Sequence, residues 1–151
     1  MAQNTSPIYS LTPVVSAGQI PSTINANTKS DGTGTIGTDM VKCFTANASN
    51  GSYVSKMRIF AGATGATTMT ATVLRVYVST KTSGATTNAD TFLYQEVTVA
   101  GLSVDNASTA LQYYEVPFNV ALPASETILV SVNAASAAGT LWQCTVFGGD
   151  Y

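Results

Sequence analysis

The sequence predicts an all-β protein: an antiparallel β-sandwich, jelly-roll-like, with about eight strands and an extended N-terminal arm. Three observations lead there. From residue 40 onward the apolar residues fall in short runs of period two, separated by polar loops. No window sustains a helical period, and Ala134 to Gly139 is Ala-rich but too short to stand alone as a helix. The 151 residues include 23 Thr, 15 Ser and 20 Ala, and Thr suits a pleated backbone whose outer face stays wet without charge. The length fits one domain with a sizeable core.

Residues 1–39 read as an extended N-terminal arm or edge segment, and residues 40–151 as the sandwich domain. The first part holds three of the five prolines, Pro7, Pro13 and Pro21, with only short apolar pieces such as Ile8-Tyr9 and Val14-Val15. Proline removes a ladder donor, so an edge or arm position is expected rather than a central strand. Two placements stay open: packing on a neighbouring subunit, or folding back on its own domain. Either way, a chain lacking residues 1–30 is expected to keep the sandwich.

The strands then follow in order. Met40 to Asn47 is the first and Tyr53 to Ala61 the next, joined by Asn50-Gly51, which reads as a hairpin signal because both residues accept positive φ. Tyr53, Met57 and Ile59 are expected on one face, with Lys56 and Arg58 on the other. Thr70 to Thr80 places Thr72, Leu74, Val76 and Val78 opposite Arg75 and Tyr77. Lys81 to Asp90 reads as a loop. Phe92 to Ala100, Leu111 to Val120, Glu126 to Ala134 and Leu141 to Phe147 complete the set. In the run 128–133, Ile128, Val130 and Val132 form a buried face, leaving Leu129, Ser131 and Asn133 toward solvent or a partner.

Composition removes several chemistries. The chain has no His, so neither a Ser-His-Asp nor a Cys-His nucleophile pair is available, nor His-ligated zinc or haem. Six basic against eight acidic residues give a net charge of −2, which argues against a nucleic-acid partner. No apolar run approaches the roughly 18 residues of a membrane span, so no membrane partner is expected. The opening residues Met1 to Pro7 carry neither a positive n-region nor an apolar h-region, so synthesis in a reducing cytosol is expected. There Cys43 and Cys144 read as buried free thiols, with a disulfide between core strands as the other possibility. The sequons at Asn4, Asn47, Asn50 and Asn106 read as by-products of composition.

Three patterns resemble sites and are weak. Gly32-Thr33-Gly34-Thr35-Ile36-Gly37 matches the dinucleotide fingerprint but lacks a preceding buried strand and a following helix. Asp31 and Asp39 bracket that loop with too few oxygens for calcium. Glu96 and Glu115 fall in neighbouring strands, as a glycosidase pair would, yet Arg58 and Arg75 are available as ion-pair partners. No catalytic residue, cofactor or metal is therefore expected. The low charge, 9% of residues, has a positive reading instead: faces meant for neighbours in an assembly.

A succession of short motifs carries a resemblance over most of the chain. It runs through Asp31-Gly32-Thr33-Gly34-Thr35, Cys43-Phe44-Thr45-Ala46 and Asn50-Gly51-Ser52 before Lys56-Met57-Arg58-Ile59. Thr72 to Val78, Tyr94-Gln95-Glu96-Val97, Leu122-Pro123-Ala124 before Ile128 to Val132, and Phe147-Gly148-Gly149-Asp150-Tyr151 follow. The chain resembles small tailed-bacteriophage virion proteins ending in Gly-Gly-Asp-Tyr, among them jelly-roll capsid decoration, or cement, proteins that sit as trimers on the head. The resemblance implies a structural virion protein on the phage head surface, made in the host bacterial cytoplasm. It implies a homotrimer bound to the major capsid protein at junctions between capsomers. The candidate interface residues are Ile8, Tyr9, Val14 and Val15 in the arm, Trp142, and Asp150 and Tyr151 at the end. The alternative is a tail- or fibre-associated module that contacts host surface glycan through Trp142 and the Tyr-bearing strands.

Overall fold

In the computed structural model, which describes residues 10–107 and 110–151, the chain forms twelve strands and, among those residues, no helix. In chain order they begin with β1 (Thr12–Pro21), β2 (Gly34–Ile36), β3 (Val41–Thr45), β4 (Ser52–Ala63), β5 (Thr67–Met69) and β6 (Thr72–Ser79). There follow β7 (Gly84–Thr86), β8 (Thr91–Val99), β9 (Leu102–Val104), β10 (Tyr113–Leu122), β11 (Thr127–Val132) and β12 (Thr140–Asp150). One sheet has the order β1-β12-β4-β10 and the other β3-β11-β6-β8, with antiparallel pairing throughout. Two ribbons, β2-β7 and β5-β9, stand beside them.

The eight sheet strands alternate between the two layers, except that β6 and β8 are neighbours in one sheet. This is the jelly-roll order. It corrects one local expectation: Asn50-Gly51 does not close a hairpin. β3 and β4 lie in different sheets, so the turn is a corner between layers. Gly51 supplies φ 78°, and the Asn47 side-chain oxygen accepts from the amides of Ser49 at 2.9 Å and Asn50 at 3.2 Å. Asn-Gly gives the tight bend, but which sheet receives the next strand is set by the apolar faces that must meet.

The inner faces make one core: Val54, Met57, Ile59 and Ala61 of β4, Val116 and Phe118 of β10, and Trp142, Cys144 and Val146 of β12, against Cys43, Leu74, Val76, Ile128 and Val130. The face expected for Tyr53 is wrong. A register shift against β12 leaves Ser55 as an extra residue of β4, so Val54 points inward and Tyr53 turns out; against β10 the extra residue is on β10, where Phe118 and Asn119 stand opposite Ser55.

Residues 10–39 lie on their own domain. β1 pairs with β12 over its whole length as an edge strand, and Pro13 and Pro21 sit on it, as prolines on an edge do. Ile20 and Ile24 enter the core at 0% and 6% exposure. A chain lacking residues 1–30 therefore loses an edge strand and two core side chains, contrary to the expectation that the sandwich would survive. The stretch 22–40 then crosses the outer face of the second sheet. It builds a small second core of Met40, Tyr77 and Leu129 with Ile36. The expectation that Leu129 and Ser131 face solvent or a partner is thus overturned, since both are 0% exposed beneath the chain's own segment.

Candidate interaction surface

The two outer faces of the sandwich differ. On the second sheet, Arg75 reaches up from β6 into the covering segment. Its Nη1 donates to the carbonyls of Asn27 at 2.9 Å and Lys29 at 3.4 Å, while Nε pairs with Glu96 at 2.7 Å. The Tyr77 hydroxyl also donates to the Lys29 carbonyl, at 3.1 Å. Thr86 of β7 donates to the Gly32 carbonyl at 2.7 Å. Strands β6 and β11 are thereby buried on both faces, which explains why β11 is apolar almost throughout.

The first sheet has no such cover among the described residues. Its register places three rows side by side across the outer face: Val15-Phe147-Lys56-Pro117, Ala17-Thr145-Arg58-Glu115, and Gln19-Gln143-Phe60-Tyr113. The Arg58 guanidinium lies 5.2 Å from the centroid of Tyr113 and 5.7 Å from that of Phe147. Glu115 accepts from Arg58 at 2.9 Å and meets Lys56 at 3.1 Å. Those bonds, from Arg58 first, hold its carboxyl below the ordinary range. Two cations and one carboxylate on this face contrast with a chain whose net charge is −2. These pairs are solvent-exposed, so they set the face's charge pattern more than its stability.

Among the described residues, the large apolar side chains that remain exposed fall at two opposite edges. Leu11 and Val15 belong to the β1 side, at 83% and 68% exposure. Phe92, Leu93 and Tyr113 belong to the other side, where β8 and β10 end their sheets. There Tyr94 closes the sandwich: its ring stacks on Phe118 at 4.3 Å, and its hydroxyl donates to the Pro117 carbonyl at 3.0 Å.

The candidate residues fall in different places. Val15 is on the open face and Val14 packs partly buried against the core. Ile8 and Tyr9 lie outside the described residues. Trp142 is a core residue at 1% exposure, tilted against Tyr114, and in this fold no partner reaches its ring. Asp150 accepts from the Ser52 hydroxyl, and the Tyr151 carbonyl accepts from Asn50 at 3.2 Å, so both are tied to the β3–β4 corner. Tyr113 belongs to the Tyr-bearing strands of the glycan alternative, whereas Phe60 and Phe147 are not among the sequence candidates; period-two counting from Met57 and Ile59 finds Phe60 on the far face with the cations.

The three weak patterns do not assemble into sites. Gly34 to Ile36 is a strand with no helix after it. Asp31 accepts from the amide and hydroxyl of Thr33, and Asp39 from the Thr35 amide, so both serve turns. Glu96 and Glu115 stand on opposite outer faces, each with its own arginine. Among the described residues no group of three or more metal-ligating side chains comes together. No protein-family model, curated protein or solved structure matches this chain.

Proposed function

We propose that this chain is a structural virion protein, a homotrimeric decoration protein that stabilises a phage head by binding the major capsid protein at junctions between capsomers. The observation that carries the proposal is the segregation of the exposed large apolar side chains to opposite edges: Leu11 and Val15 on one, Phe92, Leu93 and Tyr113 on the other. A closed ring needs two different patches on each subunit, and these edges supply them. The open face of the first sheet, with Phe60, Phe147 and the Lys56–Arg58–Glu115 cluster, is then free for the shell. Added buried area that exists only in the assembled state stabilises that state by mass action. No titrating or nucleophilic group is required. The glycan-binding alternative is weaker, because its leading residue, Trp142, is inside the core.

The test is co-purification with particles and the solution mass of the free chain. The expected result is a trimer by light scattering and stoichiometric recovery with tailless heads. The double variant Val15→Glu/Leu93→Glu is expected to stay folded and to lose both. Recovery with tails alone, or a monomer that binds heads at full occupancy, would sink the proposal.

A further inference from the structure

Cys43 belongs to one sheet and Cys144 to the other, and both are free and buried. Facing sheets normally stand about 10 Å apart, too far for most pairs of cysteines to meet. Here the layers close up along β1. Gly18 is the register partner of Cys144, and a Cβ on it would lie 3.0 Å from both the Cα and the Sγ of Cys43. The absence of a side chain at 18 is what lets β3 approach. The Ser16 hydroxyl fastens that approach by donating to the Cys43 carbonyl at 3.0 Å. The sulfur of Cys43 thus lies over the ladder position beside Cys144. Interaction with the Cys43 thiol, and then burial, push the Cys144 thiol well up from its ordinary value.

The geometry points to Cys43 and Cys144 as an inter-sheet disulfide site, open in a reducing compartment and closed by a peroxide-class oxidant. Cys43 and Cys144 are 2% and 0% exposed, so a small oxidant reaches them through local opening of the β1 edge. Hydrogen peroxide converts one thiol to a sulfenic acid and releases water. The second sulfur displaces the hydroxyl, which leaves with the second thiol's proton as another water, and the S–S bond forms. The protein loses two hydrogens and two electrons, and the peroxide takes both. The raised Cys144 thiol makes the step slow at neutral pH and faster as pH rises, because the thiolate is the reactive form. The bond closes a loop of about 100 residues and pins the edge strand's seam between the layers.

The full-length chain, purified with reductant and then exposed to a small excess of hydrogen peroxide, tests the site. The expected mass loss is two hydrogens per chain, with no alkylation after unfolding and a cross-linked peptide pair containing Cys43 and Cys144. The thermal midpoint is expected to rise by about 10 °C and to return on reduction. Cys43→Ala and Cys144→Ala are each expected to lose the rise; should either fail to fold, the wild-type peptide map decides. Oxygen addition at either sulfur, links between chains, or reaction only after unfolding would overturn the assignment.

Discussion

Replacing Arg75 with Met tests whether the 22–40 segment is clamped onto the second sheet. Met keeps most of the aliphatic volume and removes the guanidinium. The Asn27 carbonyl loses its charged donor at 2.9 Å, a loss of about 1.5–3 kcal/mol for a buried group. The Lys29 carbonyl keeps the Tyr77 hydroxyl at 3.1 Å, so little is added there. The Glu96 carboxylate is 44% exposed and regains water, which limits the ion pair's share to about 0–1 kcal/mol. The sum is about 1.5–4 kcal/mol, equivalent to a fall in thermal midpoint of roughly 3–15 °C for a domain of this size. Urea titration at unchanged slope measures the energy. Hydrogen exchange locates it: amides of residues 25–40 should speed up by more than those of Ile59 and Val146. A cost under about 0.5 kcal/mol, or unchanged exchange over 25–40, would refute the clamp.

Three further outcomes are expected. Tyr94→Phe should cost about 0.5–1.5 kcal/mol for the lost hydroxyl bond to Pro117, and Tyr94→Ala more, because the stack on Phe118 goes too; equal costs would show the hydroxyl alone matters. Trp142→Ala should cost about 3–5 kcal/mol as a core deletion, and a variant of wild-type stability would contradict its burial. With pH, hydrogen bonds from Thr33 to Asp31, from Thr87 to Asp90, and from Arg58 and Lys56 to Glu115 hold these carboxyls below their ordinary values. Their contribution is complete above the unfolded values near pH 4 and is lost as pH falls through the lower folded ones. Glu126, pushed up by burial, opposes them above its ordinary value. At the alkaline end the raised Cys144 thiol makes stability fall as pH rises above about 8.5, and burial of the Tyr77 phenol, also raised, adds to the fall above about 10. With no His, urea midpoints should be flat from about pH 6 to 8, and a slope in that window would contradict these assignments.

Period two was legible wherever a strand buries one face and wets the other. Tyr53 to Ala61 and Leu141 to Phe147 correspond to β4 and β12, and the remaining five runs each contain or overlap a sheet strand. Strands buried on both faces were legible as strands but not as doubly covered ones. Arg75 and Tyr77 alternate with Leu74 and Val76 as though facing water, because a carbonyl-bearing segment 48 residues away supplies their partners. That cover is long-range, and local pattern carries no signal for it. Likewise Gly148-Gly149 reads as a break, yet β12 runs through both to Asp150. The open face was partly legible, in Lys56 and Arg58. The two apolar edges were not, because an edge is a property of sheet order rather than of any one strand.

An electron cryo-microscopy map of the intact particle tests the virion proposal most directly. The expected density is three copies of this sandwich around a junction between capsomers on the head. In it the β1 edge of each copy, at Val15, should meet the Phe92–Leu93 edge of the next, with Phe147 and Arg58 toward the shell. Density for the chain only on the tail, or single copies whose Val15 and Leu93 edges touch nothing, would contradict it.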